Sequence, residues 1–223
     1  PKPQNPVRSD GAIRITAMVQ AALCEQDKPA AEAVVASARK PLDIGEVKSL
    51  HQTTFNMPKI ELHAHIGGCF RPNTFVELVL AKGLDLDAVD FYNVTIDTAF
   101  EFFRIGAQLV TDLPTLQRVT YEIVEDYEKQ NTRYLELRSS PKAYGDHTKA
   151  DCLRALAAVF EQAQLDFPSL RVRLLVSINR TQSLEAAKET LAAIREVQSP
   201  FIVGIELSGD PRAGDFSLLE AEM

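Results

Sequence analysis

From Lys59 onward the chain alternates two patterns. In short runs apolar and polar residues trade places at every second position; in longer stretches apolar residues recur every three or four. The first period marks a strand with two unlike faces and the second an amphipathic helix. Strands are therefore predicted at Ile60–His65, Arg133–Ser139, Arg171–Asn179 and Ile202–Leu207. Helices are predicted at Phe75–Lys82, Asp97–Val110, Leu116–Gln130, Asp151–Asp166 and Leu184–Val197. Asn73 or Thr74 is placed to cap the first helix and Gly83 to stop it. Ser183 is placed to cap the last, with Glu185 and Glu189 near its positive end. Strands separated by helices predict a parallel sheet with right-handed crossovers.

The residues before Lys59 follow a different pattern. Pro1–Asp10 is polar and rich in proline, which favours an extended start. Ala12–Leu23, Pro29–Lys40 and Ile44–Gln52 carry helical spacing or alanine-rich helical propensity. The predicted organisation is an N-terminal helical and extended appendage over residues 1–56 and a main domain over 57–223. The chain opens on Pro1 rather than Met, so its numbering is expected to begin inside a longer product.

The strands share a second feature. Ile60-Glu61-Leu62, Leu135-Glu136-Leu137 and Ile205-Glu206-Leu207 repeat one apolar-acid-apolar core. By alternation Glu61, His63 and His65 share a face, as do Glu136 with Arg138 and Glu206 with Ser208. Central strands of an open doubly wound sheet are covered on both faces and read as apolar throughout. These are half polar, and three of them cannot all be edges of one sheet. A barrel whose interior opens into a polar site accounts for them.

Composition narrows the function. The 223 residues are 45% hydrophobic and 25% charged, with 10 Gly and 12 Pro, which excludes collagen-like, low-complexity and wholly disordered chains. Acidic residues outnumber basic ones, 31 against 24, for a net charge of −7, so nucleic acid is not expected as a partner. No apolar run reaches membrane-spanning length and no signal peptide opens the sequence, so a cytoplasmic location without a membrane partner is expected. Cys24, Cys69 and Cys152 show no metal-like spacing and are read as reduced thiols.

His63 and His65 are the sharpest chemical signal. At positions i and i+2 of a strand, both imidazoles leave one side about 6.6 Å apart and can converge on one metal ion. Gly67 and Gly68 follow, leaving the backbone open to a ligand, and the C-terminal ends of barrel strands are where such active sites lie. A catalytic zinc needs three protein ligands and an open position. His51 lies too close in sequence to the strand to reach its far end. His147 and Asp210 fall on the right side but read equally well as loop residues.

The segment Met57-Pro58-Lys59-Ile60-Glu61-Leu62-His63-Ala64-His65 resembles the first-strand motif of the adenosine/AMP deaminase superfamily. Tyr134-Leu135-Glu136-Leu137-Arg138-Ser139-Ser140-Pro141 resembles its second-strand motif. Val203-Gly204-Ile205-Glu206-Leu207-Ser208-Gly209-Asp210-Pro211 resembles its fourth. The motifs follow the family's order at compatible spacings over about Pro58 to Asp215, and the nearest branch acts on N6-methylated AMP. The resemblance implies an α/β fold, a (β/α)₈ TIM barrel of the metal-dependent hydrolase type, with the first four β/α units in this chain. It implies zinc, one ion per site, held in part by His63 and His65. The implied reaction is hydrolytic deamination at C6 of an adenine nucleoside or nucleotide, with a glutamate protonating N1. Substrate would meet His65, Gly67, Asn179 and Gly209, and its sugar-phosphate end Ser139, Ser140, Pro141 and Lys142.

The family's third histidine and its glutamate follow the fifth strand, and its aspartate ligand follows the eighth. No catalytic residue is therefore assigned here, and the chain alone is expected to be inactive, with open barrel edges that favour self-association. Gly67 stands where the branch has asparagine, Cys69 where it has serine, Ala107 where it has a histidine and Asn179 where it has aspartate. These departures keep a second reading open, a catalytically dead deaminase-like module for binding or regulation. A third, a metal-dependent amidohydrolase acting on another cyclic amide, shares only the paired histidines.

Overall fold

The computed structural model describes residues 44–84 and 95–214. Two units divide after Thr54, residues 1–54 and 55–223. The extended start at Pro1–Asp10, the helices predicted at Ala12–Leu23 and Pro29–Lys40, and Asp215 lie outside the described residues.

In chain order the elements are α1 (Ile44–Asn56), β1 (Lys59–His65), a 3₁₀ turn (Ile66–Gly68), α2 (Pro72–Lys82) and α3 (Ile96–Leu109). There follow α4 (Leu113–Lys129), β2 (Thr132–Ser139), α5 (Lys149–Asp166), β3 (Arg171–Asn179), α6 (Leu184–Val197) and β4 (Ile202–Ser208). The strands form one parallel sheet in the order β1-β2-β3-β4.

Helix starts follow from local chemistry. Thr95 and Thr148 each close a capping box, and Asp112 and Ser183 each accept the backbone N–H three residues on. Helix α2 differs from expectation. It begins at Pro72, whose fixed φ suits a first turn, and no side chain caps it. The predicted cap Thr74 is buried and donates to Glu122 of α4 at 2.5 Å. Gly83, at φ +63°, ends α2 as predicted.

The two faces of the sheet differ in kind. Leu135, Leu137, Val172, Leu174 and Val176 are each no more than 1% exposed, packed with Ile123 of α4 and with Leu156 and Phe160 of α5. Burying a side chain of this size stabilises by about 1.5–3 kcal/mol. The opposite face carries Glu136, Arg138, Ser177 and Glu206. Since β2 and β3 each have a strand on both sides, their polar residues do not mark sheet edges. On β1 and β4, Ile60 (69%), Leu62 (51%), Val203 (49%) and Ile205 (41%) are exposed apolar side chains.

Candidate metal and substrate site

The two histidines stand at the end of β1, which is not a regular strand. From Glu61 to Ala64 it advances three residues while β2 advances two, from Leu135 to Leu137. One residue is therefore extra, a β-bulge at Leu62–His63. The bulge inverts the facing of everything before it. Partners in a parallel ladder point the same way, and Glu61 pairs with buried Leu135 while His65 pairs with inward Arg138. Glu61 thus leaves the face of the histidines, contrary to simple alternation. Burial above all raises the pKa values of Cys69 and Tyr127, and the Glu61 charge adds a smaller push to both.

Beyond the bulge the His63 and His65 rings lie 5.1 Å apart between centroids, with their Nε2 atoms at 3.2 Å. Two ligands of a tetrahedral zinc at 2.0–2.1 Å stand about 3.3 Å from each other. Burial, then His63, then the Arg138 cation hold the pKa of His65 below its usual value. The neutral ring this favours is the form that ligates a metal. The donor pair therefore fits two positions of a zinc ion. Among the described residues no group of three or more His, Cys, Asp or Glu is gathered for a metal. His147 is exposed and forms a two-residue antiparallel bridge with Tyr144. Asp210 is ion-paired with Arg212, whose hydrogen bonds hold its carboxyl at about 2.

A side-chain network joins all four strands on the polar face. Arg138 of β2 pairs with Glu206 of β4, both side chains largely buried. Arg138 Nη2 donates to the Leu62 carbonyl of β1 at 2.9 Å, and Ser177 of β3 donates to Glu206 at 2.6 Å. The Arg138 Nε is buried without a partner.

The other predicted residues are distributed around this centre. Gly67 lies in the turn after β1, and its carbonyl sits 2.6 Å from where a Cβ on Gly106 would be. Ser139 ends β2 opposite Val176, Ser140 is exposed and Pro141 is buried. Lys142 is half-buried, and its amine donates to the carbonyls of Ala107 (3.0 Å) and Val110 (2.9 Å) at the end of α3. A cation suits that negative helix end. Asn179 Oδ1 accepts from the Thr181 amide and hydroxyl and sits beside Gly209, whose φ of +97° and 2.7 Å approach exclude a side chain. Sequence reasoning missed Phe103 of α3, 6.0 Å from the His65 ring and against Gly68. The apolar cluster Ala99-Phe100-Phe102-Phe103 was the available signal.

A partial (β/α) barrel whose first strand ends in two converging imidazoles defines a recognisable class, and comparison with known proteins assigns it. The adenosine deaminase family profile matches residues 58–220, and the chain belongs to that family. The N6-mAMP deaminase of Arabidopsis thaliana is 32% identical over 195 residues, which cover 73% of this chain and 54% of that protein. The adenosine deaminase-like protein of Drosophila pseudoobscura is 32% identical over 174 residues, covering 72% and 51%. A crystal structure of the Arabidopsis enzyme superposes with a TM-score of 0.67 at 33% identity over 75% of this chain and 55% of that one. A zinc-bound amidohydrolase from Burkholderia ambifaria does so at 0.65 and 25% identity, covering 81% and 51%. The chain spans about half the length of the curated relatives it matches.

Proposed function

We propose that this chain contributes the first four β/α units of a zinc-dependent deaminase acting on an adenine nucleoside or 5′-monophosphate, with His63 and His65 as two of the zinc ligands. The observation that carries this reading is the 3.2 Å approach of the two Nε2 atoms at the end of β1. An ion bound there would lower the pKa of a water and supply a nucleophile near neutral pH. Water replaces the 6-amino substituent, giving the 6-oxo purine and the free amine. Relatives crystallised with GMP and with IMP support a purine nucleotide as ligand.

In this reading Gly67 and Gly209 leave room for the purine ring near His65, with Asn179 braced by Thr181. Ser139, Ser140 and Pro141 form the sugar-phosphate end. For Lys142 to meet a phosphate, its amine must exchange the Ala107 and Val110 carbonyls for it. The partner is a small purine, not nucleic acid or a membrane, and the location cytoplasmic. Residues 1–56 form the appendage.

We assign no general acid among the described residues, and the proposal includes that the chain alone does not turn over. The second reading, a deaminase-like binding module, shares that expectation. Zinc content and conversion of adenosine, AMP and N6-methyl-AMP to the 6-oxo purine, followed by chromatography, test both. Zinc lost on His63→Ala, with no product from the chain alone, is expected. Product from the isolated chain overturns its inactivity. Absence of zinc from the parent overturns the metal assignment.

A further inference from the structure

We propose that Glu61 and Arg138 are positioning residues that hold the β1 bulge and thereby set the convergence of His63 and His65. The inference rests on the zinc reading above and concerns what shapes the site rather than what fills it.

A bulge takes the backbone groups of its extra residue off the ladder, and these need other partners. Here the peptide group between Leu62 and His63 is met at both ends by side chains. The His63 N–H donates to Glu61 Oε1 at 2.7 Å, and the Leu62 carbonyl accepts from Arg138 Nη2 at 2.9 Å. The first contact folds the chain back on itself over two residues; the second ties it to the next strand. Arg138 is itself held by Glu206, and Glu206 by Ser177 at 2.6 Å. The position of Leu62–His63 is therefore set from β2, β3 and β4 together.

On a regular strand the two histidines would start about 6.6 Å apart with parallel side chains. In the bulge their rings are tilted 47° to each other at 5.1 Å. Relaxing the bulge returns Glu61 to the face of His65 and spreads the pair. Residues that orient ligands in this way typically change metal affinity about 10–100-fold when removed.

The test is zinc titration of the full chain against a chromophoric chelator for Glu61→Ala, Glu61→Gln, Arg138→Lys and the ligand variant His63→Ala. Metal-free melting temperature and amide exchange at His63 and Ala64 are measured alongside. Glu61→Ala is expected to weaken zinc about tenfold or more. It should also speed exchange at His63 but not Ala64 and leave the melting temperature near the parent. Glu61→Gln, whose amide oxygen still accepts the His63 N–H, is expected to rescue both readouts. Arg138→Lys, left with one ammonium for partners on two strands, should also weaken zinc. Unchanged zinc affinity or unchanged His63 exchange in Glu61→Ala overturns the proposal, as does a loss that Glu61→Gln shares in full. Should His63→Ala bind zinc as the parent does, the zinc reading fails, and exchange at His63 alone decides whether Glu61 holds the bulge.

Discussion

Strands β1 and β3 run to the same end of one sheet on opposite plans. From Tyr134 to Ser139 β2 pairs with β3 residue for residue, and Val172, Leu174, Val176 and Ile178 are each no more than 1% exposed. Against the same β2, β1 slips twice and exposes Ile60 and Leu62 by 69% and 51%. Regular pairing with β2 over a dry core makes β3 a frame on that side, although its pairing with β4 slips once, between Leu174 and Leu175. Irregular pairing supported by side chains lets β1 aim two imidazoles at one point. Stability and chemistry have been assigned to different strands of a single sheet.

The largest expected effect lies on the frame. Leu174→Ala should cost about 2–5 kcal/mol in denaturant unfolding, while Ile60→Ala stays within about 0.5 kcal/mol. Equal losses would break the contrast. An intermediate effect is expected where the two plans meet. Arg138→Met leaves Glu206 without its cation in a largely buried setting and should cost about 2–4 kcal/mol. Glu206→Gln in the same background should recover part of that loss, and additivity of the two changes would show that they act separately. A smaller effect than at Leu174 or Arg138 is expected just past β3. Thr181→Val removes one of two donors to Asn179 Oδ1 and should cost about 0.5–1.5 kcal/mol by thermal unfolding, with no change in zinc affinity.

The regular parts of the molecule were legible in the sequence. β3 and α6 match their predicted limits, Arg171–Asn179 and Leu184–Val197, because local period, cap and burial agree there. The pairing of Glu136 with Arg138 on one face also follows from alternation. The face of Glu61 does not. A bulge adds a residue that no two-residue period can reveal, and it arises from how β1 and β2, some seventy positions apart, come into register. The same holds for Arg138 and Glu206. Each was visible as a polar residue on a strand, but their pairing depends on the stagger of non-adjacent strands. Lys142 shows a third limit, since a cation near a proposed phosphate end is equally suited to a helix terminus, and here its amine lies on α3. The histidine pair was legible as chemistry, and its geometry was not.

Gly106 carries a last consequence. A Cβ there would fall 2.6 Å from the Gly67 carbonyl and 3.1 Å from the Phe70 ring, so α3 rests directly on the turn that follows the histidines. Lys142 fastens the same end of that helix, through the Ala107 and Val110 carbonyls, to the loop beyond β2. The C-terminal end of α3, the turn after β1 and the loop after β2 are thus held together at one place, and any side chain at Gly106 would push the helix off the turn.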